Sequence, residues 1–194
     1  MRRGLISVAI FVAFVAIFTL SRHAVSTTTT STSSTTTTSS STTTSSTPGN
    51  GCNGRDFTGT FNQGQGAAGT IYASVTLTKV SSGTCIEKGW PLLTLQDVHG
   101  ATLVSTVVDV PSSTQGVQFA NPKANRAPTT LLLTKGAATT FSLAYSDVPT
   151  GTTVCDSAVT LNVQFAASTT SVVVTPAYPL QPCDNGRVWI SPFY

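Results

Sequence analysis

Residues 70–80 read TIYASVTLTKV. Ile71, Ala73, Val75 and Leu77 alternate with Tyr72, Ser74, Thr76 and Thr78, the period of two that belongs to an extended strand with one face buried. The same alternation recurs downstream. Phe141, Leu143 and Tyr145 alternate with Ser142 and Ala144, and Leu161, Val163 and Phe165 with Asn162 and Gln164. Further runs rich in Val, Thr, Leu and aromatics occupy 92–97, 101–108, 130–134, 171–175 and 187–190, the composition of a pleated, half-buried surface. Turn residues punctuate them. His99-Gly100 separates two runs in the manner of a hairpin, Lys135-Gly136 separates two more, and Asp184-Asn185-Gly186 precedes the last. No window offers an amphipathic helix of ten or more residues, and 111–128 lacks any period, as a long loop would. An all-β fold is expected, as an immunoglobulin-like β-sandwich first and a closed barrel second.

Four cysteines, Cys52, Cys85, Cys155 and Cys183, lie in this region. In an exported domain they form two disulfides, and the sequence leaves three pairings open. A metal site would need C-x-x-C spacing or histidines to complete it, and the chain has only His23 and His99.

Upstream, an unbroken Ser/Thr tract runs from Ser26 to Thr47. It cannot bury apolar surface, so nothing offsets the entropy of ordering it, and it is expected to be a disordered stalk with O-glycan acceptors. Before it, residues 4–20 (GLISVAIFVAFVAIFTL) carry no charge. As a helix they would span roughly 25 Å, slightly short of a hydrocarbon core of about 30 Å. Arg2 and Arg3 precede this segment and stay cytoplasmic by the positive-inside rule. Three regions follow: a signal anchor or signal peptide at 1–25, the stalk at 26–48 and a β domain at 49–194. Retention of the segment makes the protein single-pass, held by the membrane with its domain outside. Cleavage near Ala24-Val25-Ser26 makes it secreted.

The formal charge of +3 arises beside the apolar segment, from Arg2, Arg3 and Arg22. Elsewhere cations and acids are equal in number, so no clustered basic face for nucleic acid is expected. A hydrolytic triad needs a base, and His99, two residues from Asp97, sits where a hairpin tip is expected. The single Met is the initiator, a poor basis for a copper site, and the acids are mostly Asp beside turns. No catalytic residue, metal or cofactor is therefore assigned. Two aromatics remain as ligand contacts. Trp90, between Gly89 and Pro91, reads first as a core anchor beside Cys85. Trp189 is the preferred stacking residue, on the expectation that the final strand lies at an edge.

Several short motifs follow one another along the chain: Ala67-Ala68-Gly69 before a long strand, Gly83-Thr84-Cys85, Gly89-Trp90-Pro91, Phe141-Ser142-Leu143, Cys155, Pro182-Cys183-Asp184-Asn185-Gly186 and Ile190-Ser191-Pro192. In them, 66–103 and 131–194 resemble a domain-of-unknown-function family of actinobacterial secreted proteins and lipoproteins. Lys79 departs from the Asn expected there, and Lys135 from a Pro. The resemblance implies a compact sandwich on the outer face of the envelope, with Cys52 paired to Cys85 and Cys155 to Cys183. It supplies no activity and no catalytic residue, and the usual lipid anchor is replaced here by the apolar segment and stalk. The expected function is a non-enzymatic, surface-displayed binding domain whose partner is an envelope protein or glycan. The alternatives are a structural envelope protein with a glycosylated stalk and, less favoured, an atypical secreted hydrolase.

Overall fold

The computed structural model describes residues 51–111, 117–151 and 154–194. The expected anchor at 1–25 and stalk at 26–48 lie outside these. Among the described residues no helix is long and apolar enough to cross a membrane.

The strands in chain order are β1 (Phe57–Asn62), β2 (Gly66–Ala67), β3 (Thr70–Lys79), β4 (Cys85–Glu87), β5 (Leu92–Gln96), β6 (Thr106–Asp109), β7 (Leu131–Leu133), β8 (Ala138–Ser146), β9 (Thr160–Gln164), β10 (Ser171–Val174) and β11 (Arg187–Ile190). Among the described residues, helical structure is limited to short turns at Gly54–Asp56, Pro122–Asn125 and Cys183–Gly186. The domain is all-β. A large sheet runs β1-β3-β8-β11-β6 with β2 added beside β3, a second sheet runs β10-β9-β5, and β4 pairs with β7.

The period-two patterns decide what each face meets. Val75, Leu77, Phe141, Leu143, Val188 and Ile190 of the large sheet share one core with Leu93, Leu95, Leu161, Val163, Val172 and Val174 of the second. The two sheets thus bury their apolar faces together, in a sandwich-like arrangement. A chain of rings ties them: Phe57 to Phe165 at 4.6 Å between centroids, Phe165 to Phe193 at 5.3 Å, and Phe193 to Phe141 at 5.8 Å. β1 and β10 approach closely at Gly59, where a Cβ would stand 2.4 Å from Val174 Cγ2. Cys52 is bonded to Cys85 and Cys155 to Cys183, the pairs that the family resemblance implies.

Lys79 ends the inward register of β3 and is buried. Its Nζ donates to Ser81 Oγ at 2.5 Å and lies 5.6 Å from the centre of the Phe57 ring. Stem and aromatic face cover apolar surface while the ammonium keeps a polar partner.

Four sequence expectations are corrected. The runs at 92–97 and 101–108 do not form one long hairpin: after a turn at Asp97–Gly100 they pair only briefly, at Gln96 and Thr102. The chain then crosses, and β6 joins the other sheet parallel to β11. β11 is no edge strand, since it lies between β8 and β6. β8 is not half-buried: Phe141 through Tyr145 are all covered, because Phe119 and Ala124 of the 111–128 stretch pack on its second face against Ala144. Finally, β1, β2 and β4 are strands that no sequence run announced. β1 sets its two apolar side chains, Phe57 and Phe61, on either side of Gly59 rather than in an unbroken alternation, and β4 is three residues long.

Candidate functional site

The face of the large sheet turned away from the main core is built in rows. Cross-strand register aligns Thr60, Thr76 and Thr140, next Asn62, Ser74 and Ser142, and then Tyr72, Ala144 and Trp189. The hydroxyls and amide interlock. Thr76 and Thr140 share a hydrogen bond of 3.2 Å between hydroxyls, while Asn62 Nδ2 donates to Thr76 Oγ1 at 3.0 Å and Ser74 Oγ at 3.3 Å. The result is a polar, uncharged floor held by its own cross-strand pairs.

A strap crosses one end of this face. Asn121 accepts from Lys123 N at 3.0 Å and so caps the Pro122–Asn125 turn, with Pro suited to its first position. The Asn125 amide brackets the strap, accepting from Phe119 N at 2.8 Å and donating to Phe119 O at 2.7 Å. That bracket holds Phe119 against Ala144, with its ring edge-on to Tyr72 at 6.4 Å. Trp189 packs on the same cluster.

Between strap, floor and the β1–β2 connection lies a groove of about 280 Å³. One wall is Asn62, Gln63 and Gly64, the opposite wall Phe119, Ala120 and Asn121, and the floor Tyr72, Ser74 and Ser142. Tyr194 closes one side, its hydroxyl 2.9 Å from Ser142 Oγ. The Gly64 wall is set by close approach: a Cβ there would lie 0.9 Å from Tyr72 O. Beyond Tyr194 a second depression, of about 230 Å³, contains Lys123 and Arg126 above Leu131 and Phe193.

Among the described residues, no ionisable side chain other than tyrosine lines the groove. Its chemistry is that of hydrogen bonding and ring stacking. The groups that burial perturbs lie elsewhere. Desolvation raises the Glu87 carboxyl above its usual range, although its oxygens accept backbone hydrogen bonds from Lys88 and Ala166. Desolvation also raises Asp109, and Tyr145 is raised by desolvation and then by the charge of Asp147.

The residues singled out in the sequence fall outside the groove lining. Trp90 packs against the main core and donates Nε1–H to Val110 O at 2.9 Å. Trp189 is half-buried behind the strap, with the Arg187 guanidinium 6.0 Å from its ring centre. His99 is exposed at a turn whose Asp97 carboxylate accepts from the backbone N–H of His99 and Ala101, both at 2.8 Å, so that carboxylate organises the turn. Cys52, Cys85, Cys155 and Cys183 are all bridged. Tyr72, Asn62, Phe119 and Tyr194 were not anticipated as site residues. The polar half of the 70–80 alternation held part of the signal, as did Asn121-Pro122, a turn-capping pair inside an otherwise patternless stretch.

The chain belongs to the family described as a domain of unknown function (DUF4232), whose model matches residues 52–194. No curated protein and no solved structure matches it.

Proposed function

We propose that this family member is a non-enzymatic binding domain of immunoglobulin-like architecture, displayed outside the membrane on its Ser/Thr stalk, and that the groove beneath the Phe119–Asn125 strap holds its ligand. The observation that carries this is the groove itself, a recess whose lining offers amides, hydroxyls and aromatic rings and, among the described residues, no histidine, aspartate or glutamate side chain to move a proton. Two disulfides suit an oxidising compartment. The apolar 4–20 segment with Arg2 and Arg3 before it supports an anchored, outward-facing topology, with secretion as the alternative. The resemblance to actinobacterial secreted proteins and lipoproteins supports an envelope partner, protein or glycan. Trp189 has a supporting part, backing the strap that forms one wall.

The test is co-sedimentation of the full-length protein with envelope fragments. Gln63→Ala and Asn62→Ala should lower capture, and Gln63→Ala should leave the unfolding midpoint nearly unchanged because its side chain is exposed. Capture that ignores both substitutions yet disappears when the stalk is deleted would favour a structural, stalk-borne role instead.

A further inference from the structure

We infer that the ligand group held in the groove is a neutral sugar ring, an inference that rests on the binding-domain function proposed above and adds the chemical class. Charge is the first discriminator. Lys123 and Arg126 line the neighbouring depression, and among the described residues no charged side chain lines the groove, so an anionic or cationic ligand would be desolvated there without a side-chain counter-charge. A purely apolar ligand fares no better, since it would cover Asn62, Ser74 and Ser142 without returning hydrogen bonds. An extended peptide would be expected at a strand edge, where free N–H and C=O groups stand. The groove instead opens on a sheet face whose backbone is already paired on both sides of β3 and β8.

A sugar ring satisfies both kinds of wall. Its hydroxyls donate and accept, and its axial C–H face is apolar. Gln63 offers an exposed amide able to donate and accept at once. Asn62 commits its N–H to Ser74 and Thr76, and its carbonyl oxygen has no partner among the described residues. The partly exposed rings of Tyr72 and Tyr194 supply flat faces for the C–H side. At about 280 Å³ the recess lies just below the usual range for ligand pockets, about 300–1,000 Å³, which suits one ring with its chain continuing into solvent.

The experiment uses the full-length protein in a detergent without a sugar headgroup. Saturation-transfer NMR is run with neutral gluco-, manno-, galacto- and arabino-oligosaccharides, with acidic uronic-acid oligosaccharides, and with a neutral tetrapeptide. At least one neutral series should bind saturably and lose affinity about tenfold in Gln63→Ala and in Asn62→Ala, the loss expected when a hydroxyl is left without its partner. Asn162→Ala, on the second sheet, should change nothing. Competition by delipidated envelope polysaccharide or by glycolipid vesicles then separates a polymer from a lipid headgroup as the source of the ring. Binding of the acidic series or the peptide in preference, or neutral binding that ignores Gln63 and Asn62, overturns the inference. If envelope capture depends on Gln63 while no neutral sugar binds, the binding domain stands and the sugar assignment falls. If envelope capture is also independent of the groove, both fall.

Discussion

At Gly64 one hydrogen in place of a methyl decides whether the β1–β2 connection can lie against Tyr72, since a Cβ there would stand 0.9 Å from the Tyr72 carbonyl oxygen. Gly64→Ala must push residues 62–65 outward and break the bond from Tyr72 N to Gln65 O, now 3.1 Å. A loss of about 1–3 kcal/mol in denaturant unfolding is expected, as for overpacking, together with loss of envelope capture. The adjoining turn of β2 into β3 has the opposite defect. Ala68 and Gly69 both adopt positive φ, 51° and 79°, as a two-residue hairpin turn matching strand twist demands, and alanine suits that region poorly. Ala68→Asn should therefore stabilise the domain by about 0.5–1 kcal/mol, read as a higher unfolding midpoint, and leave capture unchanged.

Among the elements, β4 carries a buried carboxyl whose titration bears on stability. Burial raises the Glu87 pKa, so the folded state holds that proton more tightly than the unfolded chain does. Its contribution to stability is then fullest below the usual carboxylic range and is lost as pH rises through the raised value. Glu87→Gln keeps an oxygen acceptor for Lys88 and Ala166 but removes the charge. Its stability relative to wild type should rise as pH climbs above the usual carboxylic range in urea titrations, and a pH-independent difference would contradict the assignment. Element by element, legibility followed burial. β3, β9, β10 and β11 were readable because one face alternates cleanly into the core. β1 was not, since Thr58, Gly59 and Thr60 gain their strand state from pairing with β3 rather than from their own apolarity. The groove escaped notice for the same reason: it is made by register across three strands and a strap, and no linear motif records which polar residues become neighbours. Trp189 drew attention as the conspicuous aromatic of an expected edge strand, and the parallel β6–β11 pairing, which no local signal announces, removed that edge.

For the whole molecule, the bridge from Cys155 to Cys183 joins the chain before β9 to the left-handed turn at Asp184 and Asn185, with φ of 53° and 59°, that launches β11. Cys155→Ser with Cys183→Ser should cost about 2–5 kcal/mol, and hydrogen exchange should show β11 and β6 loosening before β3 and β8. The proposed topology has its own check: protease added to intact cells should shed the domain if it is anchored and outward-facing, and protection until lysis would contradict that proposal. The most direct measurement for the groove is hydrogen exchange of the full-length protein with and without envelope fragments. Binding at the groove should slow exchange at the amides of 63–65 and 119–121 and leave β5, β9 and β10 unchanged. Slowing confined to β5, β9 and β10, or none at all despite capture, would place the ligand elsewhere and contradict the groove as the binding site.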